Sequence, residues 1–235
     1  MQINGATALV TGANRGIGRH LATQLVARGA KVYAAARRPE TITVGGVEPL
    51  ALDITDPEAV AAAARTAGDV DLVINNAGIN TSTPLLGDLA RVHEDLDTNF
   101  WGTLSMARAF APVLAANGGG ALVNIAAGAS WMALPDGGAY AVSKAAVWNM
   151  SNALRWELAG QGTSVISVHL GSTDTDMAGG PLERGDPADV ARATLDGIER
   201  DEYEVVVDEQ TALVKEWLSK DPKEFYALVT QMLGA

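Results

Sequence analysis

Between Ala6 and Gly29 the chain commits itself to one local architecture. Ala6 to Val10 is a short apolar run, the pattern of a parallel strand buried on both faces. Thr11-Gly12-Ala13-Asn14-Arg15-Gly16-Ile17-Gly18 follows, and an amphipathic stretch from Ile17 to Arg28 closes on Gly29. Strand, glycine-rich turn and helix in this order start a strand–helix–strand unit, which directs the remaining chain toward an α/β sheet. Glycines in such a turn let the backbone approach a pyrophosphate, which then rests on N–H groups at the positive helix end. The Gly-xxx-Gly-x-Gly spacing is one step off the general dinucleotide fingerprint. The same residues would also serve an ordinary strand-to-helix loop.

The rest of the chain repeats the alternation. Further strands are expected at Lys31 to Ala36, Val47 to Leu52, Asp71 to Ile74, Ala121 to Ile125, Ser164 to Leu170 and Tyr203 to Val207. Asp56 as N-cap with Pro57 at the first position opens a helix that continues through Ala59 to Ala67. Leu89 to Ala116 should be helical, interrupted or bent near Pro112. Ala139 to Leu158, Pro187 to Glu199 (capped by Asp186), Ala212 to Leu218 and Pro222 to Leu233 complete the helices. Ala178 to Asp186, rich in Gly and Pro, is expected to be a loop with the makings of a lid. With no repeat, low-complexity segment or linker, the reading is one doubly wound, Rossmann-type α/β domain over residues 1–235. It should hold about seven parallel strands flanked by helices on both faces.

Composition limits what such a domain meets. Lys plus Arg is 17 and Asp plus Glu is 28, a formal net charge of −11, which argues against nucleic acid and anionic membrane surfaces while leaving room for a local basic pocket. There is no cysteine, hence no disulfide or thiol chemistry. No apolar run is long enough to span a bilayer, and Met1-Gln2-Ile3-Asn4-Gly5 opens no signal peptide, so the expected setting is cytoplasmic. His20, His93 and His169 are scattered without metal-ligand spacing and read as structural; no metal site is expected.

Three further stretches carry chemistry. The second strand ends in Ala36-Arg37-Arg38-Pro39. A site preferring NAD usually has an acid about 20 residues beyond the glycines. Two arginines there suit a 2′-phosphate instead, with Arg15 as a second positive contact, so NADP is favoured over NAD. Arg37 and Arg38 would equally cap a strand in solvent. Asn75-Asn76-Ala77-Gly78 is by composition a polar turn, and by position a place where a flat ring could lie against backbone. Asn99 sits mid-helix, where its propensity is poor.

Finally, Tyr140 and Lys144 share one helix face, roughly 6 Å apart along the axis. An ammonium about 4 Å from a phenol favours the phenolate by on the order of 4 kcal/mol, or roughly three pKa units. A tyrosine so tuned can exchange a proton with a substrate oxygen. Taken alone, the two could equally be a surface pair.

Taken together, these residues resemble the short-chain dehydrogenase/reductase family, in the type with a Thr-Gly-xxx-Gly-x-Gly loop and a Tyr-xxx-Lys pair. The likeness runs from about Ala6 to Met177. It implies an NADP(H)-dependent oxidoreductase that interconverts a ketone or aldehyde and an alcohol. Tyr140 would be the proton donor or acceptor, Lys144 would lower its pKa and hold the nicotinamide ribose, and Asn99 would support a water relay to Lys144. Gly12, Gly16 and Gly18 would take the pyrophosphate, with Asn14 and Ile17 also on the cofactor; Arg15 and Arg37 match the NADP-preferring pattern, with Arg38 beside them, and Asp53 and Ile54 would take the adenine. Asn76, Ala77 and Gly78 would face the ribose and ring, and Gly171, Thr173 and Thr175 the carboxamide. Such proteins are usually homodimers or homotetramers, built partly on the helices bearing Asn99 and Tyr140.

Two positions depart from the family. The catalytic serine normally stands thirteen residues before the tyrosine, and 140 − 13 = 127 is Ala127. Ser130, three residues later, is the candidate replacement. Leu170 stands where a proline commonly precedes the glycine. A substrate pocket is expected from Ser130, Trp131, Met132, Leu134 and Pro135, with Asn80 and Thr83 opposite; Trp131 reads equally as core. The rival reading is a catalytically weak NADP(H)-binding sensor or partner-binding module, for which Ala127 is the support. Loss of redox chemistry altogether, as in lyases or dehalogenases of the same fold, fits poorly with an intact glycine loop and two arginines.

Overall fold

The computed structural model describes residues 1–177 and 184–232. Seven strands form one parallel sheet: β1 (Thr7–Thr11), β2 (Lys31–Ala36), β3 (Glu48–Ala51), β4 (Leu72–Asn75), β5 (Gly120–Ile125), β6 (Thr163–His169) and β7 (Glu204–Val206). Their order is β3-β2-β1-β4-β5-β6-β7. The interior strands are apolar and buried on both faces, which is why the sequence shows runs rather than alternation. The outer edge strand, β3, is largely exposed and carries Pro49. Because β2 and β4 leave β1 on opposite sides, the chain reverses direction across the sheet at β1, and a crevice opens beyond the carboxyl ends of β1 and β4.

Eight α-helices cover the two faces: α1 (Gly16–Ala27), α2 (Pro57–Thr66), α3 (Leu89–Leu96), α4 (Thr103–Ala116), α5 (Gly138–Leu158), α6 (Pro187–Glu199), α7 (Glu209–Trp217) and α8 (Pro222–Met232). On one face Leu21 and Leu25 of α1 and Leu195 and Ile198 of α6 pack on Val10, Ile74 and Val123. On the other, Met106 and Phe110 of α4 and Val147 and Leu154 of α5 pack on Leu9, Val73 and Leu122. Asp56 and Asp186 cap α2 and α6 as expected, each accepting an N–H two residues on at 2.9 and 2.7 Å.

One expectation is corrected. The helical region from Leu89 to Ala116 is not interrupted at Pro112, which lies inside α4. The irregularity falls earlier, where Asp97–Gly102 forms a π-helical turn between α3 and α4. Single π turns are rare and tend to occur at functional sites; this one holds Asn99. Of the expected loop at Ala178 to Asp186, residues 178–183 lie outside the described residues, as does Leu233 at the end of the last helix. The flanks of that loop pair with each other: Gly185 donates to the Ser172 carbonyl at 2.9 Å, and Asp174 donates to that of Gly185 at 2.9 Å. Among the described residues, no helix is long and apolar enough to cross a membrane.

Candidate active site

A cavity of about 1420 Å³ occupies the crevice. Its floor is the turn between β1 and α1, with Gly12, Asn14, Arg15, Gly16 and Ile17 on the wall. Gly18 lies beneath: a Cβ there would stand 2.2 Å from the Gly12 carbonyl oxygen, so only glycine lets helix and turn close on each other. Five helices, α2, α3, α6, α7 and α8, are capped by aspartates. By contrast, α1 has no side-chain cap and no acid in its first turn, which leaves its amide groups for an anion.

At one end of the cavity stand Arg37 and Arg38, at the end of β2, with Asp53, Ile54 and Thr55 beside them. Asp53 accepts from the Thr55 hydroxyl at 2.7 Å and its amide at 3.0 Å, which holds its carboxyl below the usual range, helped by Arg37. Arg15 also lines the cavity and pairs with Asp176 at 2.9 Å, both side chains largely exposed, joining the glycine turn to the segment after β6. Asn14 is held by its own bond to the Thr41 hydroxyl at 3.1 Å.

Further along lie Asn76, Ala77 and Gly78 after β4, and Gly171, Thr173 and Thr175 after β6. Asn76 is a clamp: its side-chain amide donates to the carbonyls of Thr11 and Gly12, at 2.9 and 3.3 Å, tying β4 to the glycine turn. Gly78 is where the wall is thinnest. A Cβ there would meet Asn99 Oδ1 at 2.9 Å and Lys144 Nζ at 3.5 Å.

Tyr140 and Lys144 line the same cavity from the first turns of α5. Lys144 donates to the Ile125 carbonyl at 2.8 Å and its ammonium lies 5.7 Å from the centre of the Tyr140 ring. Burial pushes the Lys144 ammonium down to about 8, with Asp95 opposing that shift. Burial also raises the Tyr140 phenol above its ordinary value, and Asp95 adds to the rise. In the free protein desolvation acts against the phenolate-leaning tyrosine expected from the sequence, because it disfavours both charged forms.

Asn99, 1 % exposed, does not reach the cavity wall. Its amide donates to Ile79 O at 2.9 Å and Ser143 Oγ at 2.8 Å, while its oxygen accepts from Ile79 N at 2.9 Å. Its backbone carbonyl accepts from the Thr103 hydroxyl at 2.6 Å. Asn99 holds the wall behind Gly78 together rather than facing a substrate.

The segment after β5 departs from expectation at three residues. Ala127 and Ala129 line the cavity, but Ser130, Trp131 and Met132 do not. A tight turn at Gly128–Ser130 folds Ser130 back, so that its buried hydroxyl accepts from the Ala127 amide at 3.3 Å. Trp131 stacks on His169 with ring centres 4.0 Å apart and meets Trp148 edge-on. His169 is fully buried, pushed down to about 4 by that burial, and its Nδ1 lies 3.2 Å from the Ala127 carbonyl. These groups support the loop from behind. Leu134, Pro135 and Asn80 do reach the cavity, whereas Thr83 is buried in its own loop.

Sequence reasoning missed Ser82 and Asp136 on the cavity wall, and Asp95 behind it. Ser82 and Asp136 share left-handed backbone, with φ of 52° and 58°, which no sequence pattern marks in a serine. Among the described residues no cluster of His, Asp or Glu could hold a metal.

The chain is similar to known proteins. A family model described as short chain dehydrogenase matches residues 6–184. The crystal structure of a short chain dehydrogenase from Burkholderia cenocepacia in complex with NADP superposes with a TM-score of 0.92 at 38% identity, over 97% of this chain and 98% of that one. D-erythrulose reductase of Gallus gallus is 34% identical over 194 residues, 80% of this chain and 78% of that protein. The NADPH-dependent 1-acyldihydroxyacetone phosphate reductase of Schizosaccharomyces pombe is 35% identical over 184 residues, 74% of this chain and 62% of that protein.

Proposed function

Because this chain belongs to the short-chain dehydrogenase family, we propose that it is an NADP(H)-dependent oxidoreductase interconverting a carbonyl and an alcohol, with Tyr140 as the proton donor in reduction. The observation that carries the reading is the continuity of one cavity: two arginines at one end, an uncapped helix start in the middle, and Tyr140 with Lys144 at the other. The NADP-bound Burkholderia neighbour and the NADPH-dependent yeast relative support the choice of cofactor.

The residues present fit a dinucleotide. Gly12 to Gly18 and the first turn of α1 would hold its pyrophosphate, Asp53 and Ile54 its adenine, and Asn76 to Gly78 with Lys144 the ribose and ring region. Gly171, Thr173 and Thr175 would hold the carboxamide. When bound, the cofactor supplies the hydride that reduces a carbonyl carbon. Tyr140, kept neutral by burial, donates its hydrogen bond and then its proton to the carbonyl oxygen. Leu134 and Pro135 exclude water on the substrate side, which suits a small or medium apolar carbonyl. We place assembly as a homodimer or homotetramer on the helices bearing Asn99 and Tyr140, where Trp101 and Val142 are exposed.

The test is NADPH consumption across a panel of aldehydes and ketones, beside direct NADPH binding. Oxidation of NADPH in preference to NADH, dependent on a carbonyl, is the expected result. Absence of NADPH binding sinks the reading. Tight binding without turnover across the panel favours the second reading, a sensor or partner-binding module, which the alanine at position 127 and the turned-away Ser130 support.

Two expected results concern the cofactor. With Arg15 as a further positive contact, Arg37 and Arg38 would take the 2′-phosphate. Replacing both by serine should weaken NADPH by about 10–100-fold, the worth of one or two charge-assisted hydrogen bonds, and leave NADH within about threefold, as titrations of each will show. The second is a pH dependence. Lys144 titrates near 8, so the free protein loses that positive charge as pH rises past this value. The dissociation constant of NADPH should therefore rise above pH 8 by up to about tenfold per unit, and Lys144→Met should flatten that rise.

A further inference from the structure

Asp95 is fully buried, on α3, one turn before Asn99, and the chemistry above does not use it. An unpaired carboxylate in that position would be costly. It is satisfied by one residue: Thr81 donates its hydroxyl to Oδ2 at 2.6 Å and its amide to Oδ1 at 3.2 Å. Asn99 holds Ile79 in the same manner, through both its backbone groups. The spacing is matched. Four residues of helix rise about 6 Å, and two residues of extended chain span about 6.6 Å, so residues 99 and 95 can grip 79 and 81 in step.

The gripped segment then reaches α5. Its Thr83 carbonyl accepts from the amide of Ala139 at 3.1 Å, the residue before Tyr140. Asn99 closes the circuit by donating to Ser143, the residue before Lys144. Two side chains on one helix face thus control the two residues that precede the reacting pair.

We propose that Asp95 is a positioning residue of this site: it fixes the segment from Ile79 to Thr83, and through it the first turn of α5, so that Tyr140 is held at the cavity wall. Its charge has a second effect. The titratable groups that act on it or feel it are Glu94 on its own helix and Tyr140 and Lys144 on α5. Burial chiefly sets both groups; Asp95 adds to the rise of the Tyr140 phenol and opposes the fall of the Lys144 ammonium. This second effect rests on the reading of the site as an NADP(H) site; the anchoring does not.

Two variants separate the effects. Asp95→Asn removes the charge but keeps the grip, because the Thr81 hydroxyl can turn to accept from the new amide. Thr81→Val removes the hydroxyl, and with it one of the groups that favour the charged form of the carboxyl. Amide hydrogen exchange on the unliganded protein reads the anchoring. Thr81→Val should speed exchange at residues 79–83 and at Ala139 by at least about tenfold, with the sheet unchanged, and Asp95→Asn should alter these sites far less. NADPH titrations against pH read the charge. Asp95→Asn should move the alkaline loss of affinity to lower pH by about half a unit, and Thr81→Val should move it the same way by less. Unchanged exchange in Thr81→Val overturns the anchoring. An unmoved alkaline limb in Asp95→Asn, with NADPH still bound, overturns the electrostatic role. If the parent protein binds no NADPH, the oxidoreductase reading fails and the exchange result alone decides the role of Asp95.

Discussion

Restoring a hydroxyl at position 127, as Ala127→Ser, is expected to raise kcat for carbonyl reduction by about 10²–10³-fold with little change in NADPH affinity. The magnitude is that of one donor to a developing oxyanion in other enzymes. The position is right for such a donor. Ala127 lines the cavity that Tyr140 and Lys144 line, and its backbone is extended, with φ −168° and ψ 165°. Its amide is held by Ser130 Oγ and its carbonyl faces His169 Nδ1, so the backbone that would carry the new side chain is fixed on both sides. Ser130 cannot make the same contribution from inside its turn, and Ser130→Ala should change kcat less than about threefold. The check is steady-state kinetics of the parent and both variants on any carbonyl the panel identifies. A parent as fast as Ala127→Ser means that water or another side chain supplies the hydrogen bond.

Tyr140→Phe should have the largest effect of any single change, a loss of about 10²–10⁴-fold in kcat, the usual worth of a positioned acid. The structure gives two reasons to expect a clean result. The ring stays beside the Lys144 ammonium, and among the described residues no hydrogen bond depends on the phenol, so Tm should move little. NADPH affinity should stay within about threefold, because Lys144 remains bonded to Ile125. Retention of more than about a tenth of the activity in Tyr140→Phe would mean that the proton comes from elsewhere, and the assigned role would be wrong.

The parts legible in the sequence are those where one residue type has one physical use. Gly18 is glycine because any Cβ would strike the Gly12 carbonyl, and Asp56 before Pro57 is a helix start in almost any context. Buried parallel strands announce themselves as apolar runs, which is why seven strands could be placed to within one or two residues. The parts that stayed hidden depend on rotation. Val92, Asp95, Asn99, Thr103, Met106 and Phe110 are all buried, at spacings of three or four that a plain helix would also show, so nothing betrays the π turn at Asp97–Gly102. Asp95 hid for the same reason: an acid on a helix is by default a solvated one. The sense in which Ser130 and Trp131 turn away from the cavity is fixed by His169, thirty-eight residues after Trp131, and by the turn at Gly128–Ser130, which no local propensity specifies.

The two margins of the sheet have a consequence for the protein at high concentration. An open strand edge is a template on which another chain can build, and thereby a route to aggregation. Here one margin, β3, is four residues long and carries Pro49, which has no amide to offer; the other, β7, is three residues long and begins at Glu204. Neither gives a neighbouring molecule enough unbroken backbone to continue the ladder. Crowding should therefore drive copies of this chain together through helix faces, as discrete assemblies, rather than through an extending sheet.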